Sequence, residues 1–418
     1  MKKRILMLDG DGIGPELSRE GKKTLDAVGR KYGHKFEFTH ALFGAEAFFT
    51  CGKCYPDETR GLVKSRDMDG ILKGPVGLGP EGAAKLRAAG VKLENETIIA
   101  IREDLDAYCC YRPVSLPSGL SFFSPLRPEI VAGGIDILMM RELVGGIYFG
   151  PKTEGIKDSK ILEVSSDDCT YTKEQIERFA HACFREAQQR GAKLTNVHKA
   201  NIKATGRHWQ AVFAVVASQY PTVELQECLV DAFATYLNTK PTAFNGVVAL
   251  SNMEGDIETD HAGGIIGSLG LMPSACINSE TGIGYYEPSH GSAPDIAGKN
   301  IANPYSMIGS VAFMLEKCFG MAEEAKDVWS ALHNVFANGN MTRELLRKLN
   351  DLQKAARVDA AFTDLAFAFR KANPGLEDGR IRELISESYA RRDEEMEQRV
   401  VSTSEFGDLV VEGILKNS

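Results

Sequence analysis

Asp256 and Asp260 stand four residues apart in Asn252-Met-Glu-Gly-Asp-Ile-Glu-Thr-Asp-His261. On a helix this spacing puts two carboxylates on one face, where their oxygens could hold a hard divalent cation. Such pairs are also common on solvated helices, so the surroundings decide. Gly263, Gly264, Gly267 and Gly270 follow, and Leu269–Ile277 is mostly apolar, an odd setting for a wet surface. Arg102 and Arg112 lie ten residues apart, and Arg141 follows a nearly continuous apolar run, Ile135–Met140. Guanidinium forks grip carboxylates with paired hydrogen bonds, which suits a di- or tricarboxylic acid. Singly, each arginine would more often be a surface ion-pair partner; the run before Arg141 argues against that reading there. Tyr285–Pro304 is a long segment of turn formers and small residues, which can let backbone amides approach a phosphate closely.

These groups need rigid elements to carry them. Residues 4–8 read as a buried strand, the turn Asp9–Pro15 follows, and Pro15 suits the first position of a helix through Glu16–Val28. Thr172 and Gln175 have capping-box spacing, and Ile176, Phe179, Ala180, Cys183, Phe184 and Ala187 mark one face of the helix they open. Lys193–Val197 then reads as a strand. Helices alternating with short apolar strands imply an α/β architecture, and 418 residues imply two domains. Gly10-x-Gly12 after a strand invites a Rossmann reading, but the third glycine of that fingerprint is replaced by Pro15. A dinucleotide would have to be held by another loop.

The net charge of −8 argues against a nucleic-acid or anionic-membrane partner, and no apolar run reaches the length of a membrane span. The apolar stretch of the N-terminus stops at Asp9, too short for a signal-peptide core. The nine cysteines include Cys51-x-x-Cys54 and the adjacent Cys109 and Cys110, without the second matched pair a zinc site needs. Free thiols in a reducing cytoplasm are the expectation, with a redox role for Cys51 and Cys54 as the alternative. From Asn373 the chain becomes more charged. Ile381, Leu384, Ile385 and Tyr389 give one helical stripe there, read as a solvated surface helix or an added subunit contact.

In order along the chain, Gly10–Glu16, Arg102–Pro113, Arg141–Gly150, Val197–Ile202, Asn252–Asp260 and Glu287–Pro304 resemble segments of the β-decarboxylating dehydrogenases. That family includes the isopropylmalate, isocitrate, homoisocitrate, tartrate and D-malate dehydrogenases, and the overall pattern here is most similar to the isopropylmalate type. The resemblance implies an isopropylmalate dehydrogenase-like, non-Rossmann two-domain α/β fold with the active site in the cleft between domains. Residues 1–107 plus 267–418 would form a discontinuous NAD-binding domain, and 108–266 a second domain with the dimer interface. By resemblance Asp256 and Asp260 are metal ligands for Mg²⁺ or Mn²⁺, with Asp231 as a third supplied across a homodimer. Lys199, also given across the interface, and Tyr148 are the catalytic pair. Arg102, Arg112 and Arg141 clamp the substrate carboxylates, and Ile98 and Ile99 meet the substituent at its C3. NAD would lie on His290, Gly291, Ser292, Ala293, Asp295, Ile296 and Asn303, with Ile13 and Glu287 toward the nicotinamide end.

The implied reaction is oxidation of a 2-hydroxy acid followed by loss of its 3-carboxylate. Three aspartates, a divalent cation, three arginines and a dicarboxylate cancel in charge before Lys199 is counted, so a closed site could hold them. Asp295 can accept hydrogen bonds from the adenosine ribose hydroxyls and would repel a 2′-phosphate, which favours NAD; NADP-using relatives carry Lys-Tyr in place of Asp295-Ile296.

Substrate identity is less sharply drawn. Ile98 and Ile99 favour an apolar substituent, while the charge of Glu96 would oppose a third carboxylate. Asn95 replaces an acidic residue usual in isopropylmalate enzymes, and Val197-His-Lys looks more like the isocitrate enzymes, though His198 also reads as a packed core histidine. Leu72-Lys-Gly-Pro departs from the family's Gly-Gly-Pro, and Glu254 adds a carboxylate close to Asp256 that could alter metal preference. The reading is 3-isopropylmalate, then D-malate or tartrate, then isocitrate or homoisocitrate. A non-catalytic regulatory subunit is disfavoured because lysine, tyrosine and aspartates are all present.

Overall fold

The computed structural model describes residues 1–116, 123–157, 160–161, 163–347, 380 and 397–416. Its centre is a ten-stranded mixed sheet built from β1 (Lys2–Leu8), β2 (Lys35–His40), β3 (Gly70–Lys73), β4 (Cys109–Ser115), β5 (Asp136–Glu142), β6 (Leu194–His198), β7 (Leu225–Leu229), β8 (Gly246–Leu250), β9 (Pro273–Ile277) and β10 (Gly284–Pro288). The order is β7-β6-β8-β5-β4-β9-β10-β3-β1-β2. Outer pairs are parallel, whereas β5–β4, β4–β9 and β9–β10 are antiparallel. Three reversals in a row make the parallel strands of the two halves run in opposite senses. Within this sheet the strands drawn from residues 108–266 lie on the β7-to-β4 side and the others on the β9-to-β2 side.

Inner parallel strands are covered on both faces and therefore read as apolar runs. Ile5, Leu6, Met7 and Leu8 of β1 and every residue of β8 are buried. The helix after β1 spans Gly14–Tyr32, with proline in its first turn and the left-handed Gly33 closing it. The capping box at Thr172 forms, and the helix Lys173–Arg190 buries the whole expected face, Ile176 to Ala187. No helix among the described residues is long and apolar enough to cross a membrane. All nine cysteines are free, Cys54 buried and Cys51 exposed.

The chain's end joins the core. The helix Thr403–Lys416 buries Phe406, Val410 and Ile414 against Gly14–Tyr32 and Ala322–Ala337. Ile381, Leu384, Ile385 and Tyr389 lie outside the described residues. Where this last helix crosses the first, Glu20 is buried beside Gly407 and ion-pairs with Lys23 at 2.6 Å. Burial pushes the Glu20 carboxyl up to about 7, with Lys23 opposing. A folded-state value above the unfolded one gives stability that is full at acid pH and is lost as pH rises through about 7. Glu20→Gln should therefore raise the thermal midpoint at pH 8, by roughly 1–3 kcal/mol of stability, with little change at pH 4.5. Melting curves across that range check it.

Candidate active site

In both halves of the sheet several candidate residues sit on or just beyond the C-terminal ends of strands, the usual place for ligands in α/β sheets. Lys73 ends β3, Ile13 follows β1, and the His290–Ile296 loop follows β10. Arg141 and Tyr148 come at and after the end of β5, Lys199 after β6, Asp231 after β7 and Asp256 after β8.

Register then assembles the floor. Side chains directly opposite one another on neighbouring strands share a face. Arg141 is opposite Cys110, Cys110 opposite Cys276, Cys276 opposite Tyr285, and Tyr285 opposite Ile71. Two residues along each strand the period-2 pleat adds Arg112, Ser274, Glu287 and Lys73 to the same face. Cys110 Sγ lies 3.4 Å from Ser274 Oγ, and Arg102 Nε donates to the Tyr285 hydroxyl at 3.1 Å. Arg102 comes from the helix Ala100–Leu105, which continues from a π-turn over Asn95–Ile99 that leaves Ile98 and Ile99 half-buried. Single π-turns of this kind recur at functional sites.

The helix Asn252–Ile265 lies over this floor and carries both aspartates. Arg141, 2% exposed, ion-pairs with Asp256 and donates to Asn252 Oδ1 from Nε and Nη2 at 3.2 and 2.8 Å. The approach needs Gly255: a Cβ there would fall 2.6 Å from Arg141 Cγ. Tyr148 donates to the other Asp256 oxygen at 2.9 Å. Arg112 donates to Thr259 Oγ1 at 2.7 Å and to Asp260 at 3.1 Å. All three arginines are thus buried; Arg112 and Arg141 bond to the acidic helix, and Arg102 bonds to Tyr285 of the floor.

Electrostatics follow from this packing. Burial, reinforced by repulsion from Arg102, pushes Arg141 below its ordinary value. Burial opposes ionisation of Asp256, but Arg141 and the Tyr148 hydroxyl outweigh it and hold this carboxyl below the usual range. Asp260 shifts upward through partial burial and repulsion by Asp256, with Arg112 opposing. Burial and then the Asp256 charge push Tyr148 up, so its phenol keeps its proton. Glu142, buried at the end of β5, accepts from the Val144 and Gly145 amides at 2.8 and 2.9 Å and so braces the turn that carries Tyr148. Two carboxylates on one helical face offer hard oxygen donors, which fits a hard divalent cation. Among the described residues no group of three or more His, Cys, Asp or Glu side chains could hold a metal ion.

Lys199 and Asp231 form a second cluster in the same chain, paired at 2.8 Å, and this lysine holds Asp231 below the ordinary carboxylate range. Glu254, buried near the start of the acidic helix, is engaged by Lys203 at 2.6 Å and by Ser251. His198 is buried and bonded to Glu227 at 2.7 Å.

At the other side of the floor, Gly12 takes a φ of +57°, and a Cβ on it would fall 2.1 Å from the Ser292 carbonyl oxygen. The Ile13 amide donates to that oxygen at 2.9 Å, so the turn after β1 braces the loop carrying His290, Gly291, Ser292 and Ala293. Asp295 is exposed, and Ile296 packs on the core. The Asn303 side chain is committed internally, donating to the Gly270 carbonyl at 3.2 Å and accepting from the Tyr305 amide at 3.1 Å. Glu287 pairs with Lys73, a lysine with no exposed surface. The sequence flagged Lys73 only as a departure from pattern. It passed over Tyr285, Thr259 and Asn252, whose partners lie far away along the chain, and Glu142, whose amide partners are two and three residues on; a lysine closing the apolar run Gly70-Ile-Leu was a usable signal for Lys73.

Three buried guanidinium groups, a carboxylate pair and a protonated phenol thus gather at the junction of the two halves of the sheet, an arrangement chemically suited to a carboxylic acid. The profile of the isocitrate/isopropylmalate dehydrogenase family matches residues 4–361, and the chain belongs to that family. The 3-isopropylmalate dehydrogenase of Clostridium acetobutylicum is 40% identical over 342 residues, 82% of this chain and 93% of that one. The Bacillus subtilis 3-isopropylmalate dehydrogenase is 39% identical over 350 residues, 83% and 93% of the two chains. Among solved structures, isocitrate dehydrogenase from Methylococcus capsulatus superposes with a TM-score of 0.75 at 25% identity, covering 99% of this chain and 100% of that one. The chain is an oxidative, decarboxylating hydroxy-acid dehydrogenase, as its family and curated relatives establish.

Proposed function

We propose that the substrate is 3-isopropylmalate, that NAD is the cofactor, and that the metal is Mg²⁺ or Mn²⁺ held by Asp256, Asp260 and Asp231 of the partner subunit. The observation that carries this reading is the convergence of Arg102, Arg112, Arg141, Tyr148, Asp256 and Asp260 on one face of the sheet junction. When bound, the cation would supply Lewis acidity at the substrate hydroxyl and NAD the hydride acceptor. The arginines bind and orient the two carboxylates. Lys199 takes the hydroxyl proton, and Tyr148 returns a proton to carbon after CO₂ leaves. Ile98 and Ile99 offer the C3 substituent an apolar wall. The two halves of the sheet act as domains, residues 1–107 with 267–418 and residues 108–266, that close on the substrate and exclude water.

A homodimer with shared sites is part of the proposal. Among the described residues one chain brings no third His, Cys, Asp or Glu to the aspartate pair, while its Lys199 and Asp231 are paired with each other. Ile202, Val215 and Ile257, at 71%, 61% and 60% exposed, are apolar side chains that a second copy could cover.

Reduced-cofactor absorbance with NAD, Mg²⁺ and a panel of 3-isopropylmalate, D-malate, tartrate, isocitrate and homoisocitrate tests the reading. Fastest turnover of 3-isopropylmalate supports it, and preference for another acid overturns the substrate assignment. Asp295→Lys should lower kcat/KM for NAD by roughly 10-fold or more, because hydrogen bonds from the ribose hydroxyls to a charged acceptor are lost. An unchanged NAD/NADP preference would refute the assigned cofactor loop.

A further inference from the structure

The catalytic assignment of Lys199 raises the question of what aims it. Lys199 is the first residue beyond β6, in a turn whose Ile202 and Lys203 amides both donate to its carbonyl, at 3.2 and 2.8 Å. The residue before it, His198, is 7% exposed and uses both ring nitrogens. Its Nδ1 lies 3.1 Å from the Ala200 amide, and its Nε2 lies 2.7 Å from Glu227 Oε2. An amide N–H can only donate, so Nδ1 must be the unprotonated acceptor. The ring hydrogen then sits on Nε2 and is donated to the carboxylate, which fixes the tautomer.

Glu227 belongs to β7, the strand beside β6, and lies opposite Asn196 in register. Asn196 Nδ2 donates to Glu227 Oε2 at 3.1 Å, and Asn196 Oδ1 accepts from Trp209 Nε1 at 2.8 Å. Trp209 is on the helix Ala204–Ala217 that leaves the Lys199 turn. The network therefore ties together β6, which delivers Lys199, β7, which delivers Asp231, and the helix that follows the turn. Trp209, Asn196 and His198 are all buried, so each lost bond leaves a polar group without water to replace it.

We propose that His198 is a positioning residue for Lys199: Nδ1 closes the turn through the Ala200 amide, and Glu227 holds the ring in the tautomer that can do so. This rests on the proposed role of Lys199 as the base. It makes two separable demands on residue 198, a cap acceptor one bond beyond Cγ and a donor reaching Glu227. Asparagine meets the first, because its Oδ1 occupies the place of Nδ1 and accepts from the amide two residues on. Glutamine reaches toward Glu227 but places no acceptor at the turn.

The test is steady-state kinetics of the full-length enzyme with 3-isopropylmalate, NAD and Mg²⁺, with His198→Ala, His198→Asn, His198→Gln and Lys199→Ala measured side by side. His198→Ala and His198→Gln should lower kcat by roughly 10- to 100-fold, since a displacement of about 1 Å at a reacting group costs that much, while KM for the hydroxy acid stays within about threefold. His198→Asn should recover most of the rate. Should His198→Ala not fold, the Asn and Gln variants carry the comparison alone. A kcat within about twofold of the parent in His198→Gln, or equal losses in Gln and Asn, overturns the proposal. Full activity in Lys199→Ala instead overturns the assignment of Lys199 itself. An inactive Lys199→Ala beside an unaffected His198→Gln overturns the positioning role alone.

Discussion

Lys199→Ala should lower kcat by about 10²- to 10⁴-fold, the range general-base groups supply, and leave stability nearly unchanged. The stability expectation follows from exposure: the Lys199 side chain is 25% exposed and that of its partner Asp231 is 64% exposed, so their ion pair is worth little to folding. Initial rates and melting curves on the same preparation separate the two effects. A sharper measurement uses Tyr148→Phe. Each variant alone should be nearly inactive. If the lysine serves the neighbour's site, a hybrid dimer of Lys199→Ala and Tyr148→Phe chains regains one intact site, with Tyr148 from one chain and Lys199 from the other. Hybrids as inactive as the single variants would place both groups in one chain's site and remove the reason for a shared dimer.

The second large effect concerns stability. Lys73 ends β3 with no exposed surface, and it pairs with Glu287 of the adjacent β10. Its ammonium donates to the Gly74 carbonyl at 3.0 Å and lies 5.8 and 5.5 Å from the ring centres of Phe43 and Tyr285. Lys73→Met keeps the volume but strands a buried carboxylate, which should cost about 3–5 kcal/mol. Lys73→Met/Glu287→Gln removes both charges and should restore much of that loss. Urea unfolding of the parent, both single variants and the double variant closes the cycle. Strict additivity of the two single losses would show that the pair is not coupled. Glu287 also faces the proposed nicotinamide end, so the KM for NAD should rise in Lys73→Met along with the loss of stability.

Several parts of this molecule were legible in the chain because their causes are local. Pro15 fits the first turn of a helix because its fixed φ is already helical there, Thr172 and Gln175 cap each other across one turn, and Asp256 and Asp260 share a face because a helix has 3.6 residues per turn. The apolar run before Arg141 signalled its burial because an inner strand covered on both faces must be apolar on both. The β-decarboxylating pattern was readable as well, because its segments keep their order even though their contacts span the chain. No such local cause marked the end of the chain, and only packing shows that Phe406, Val410 and Ile414 complete the core.

The tertiary structure alone decided which side chains meet. Sequence spacing does not put Arg141, Cys110, Cys276 and Tyr285 in one row across four strands, or Lys73 beside Glu287. Those neighbours depend on strand order and register, which are set by how whole faces pack, and a shift of one residue would turn each side chain to the opposite face. Residue types and local periods therefore determined which chemistry was available here, and long-range pairing decided which groups could act together.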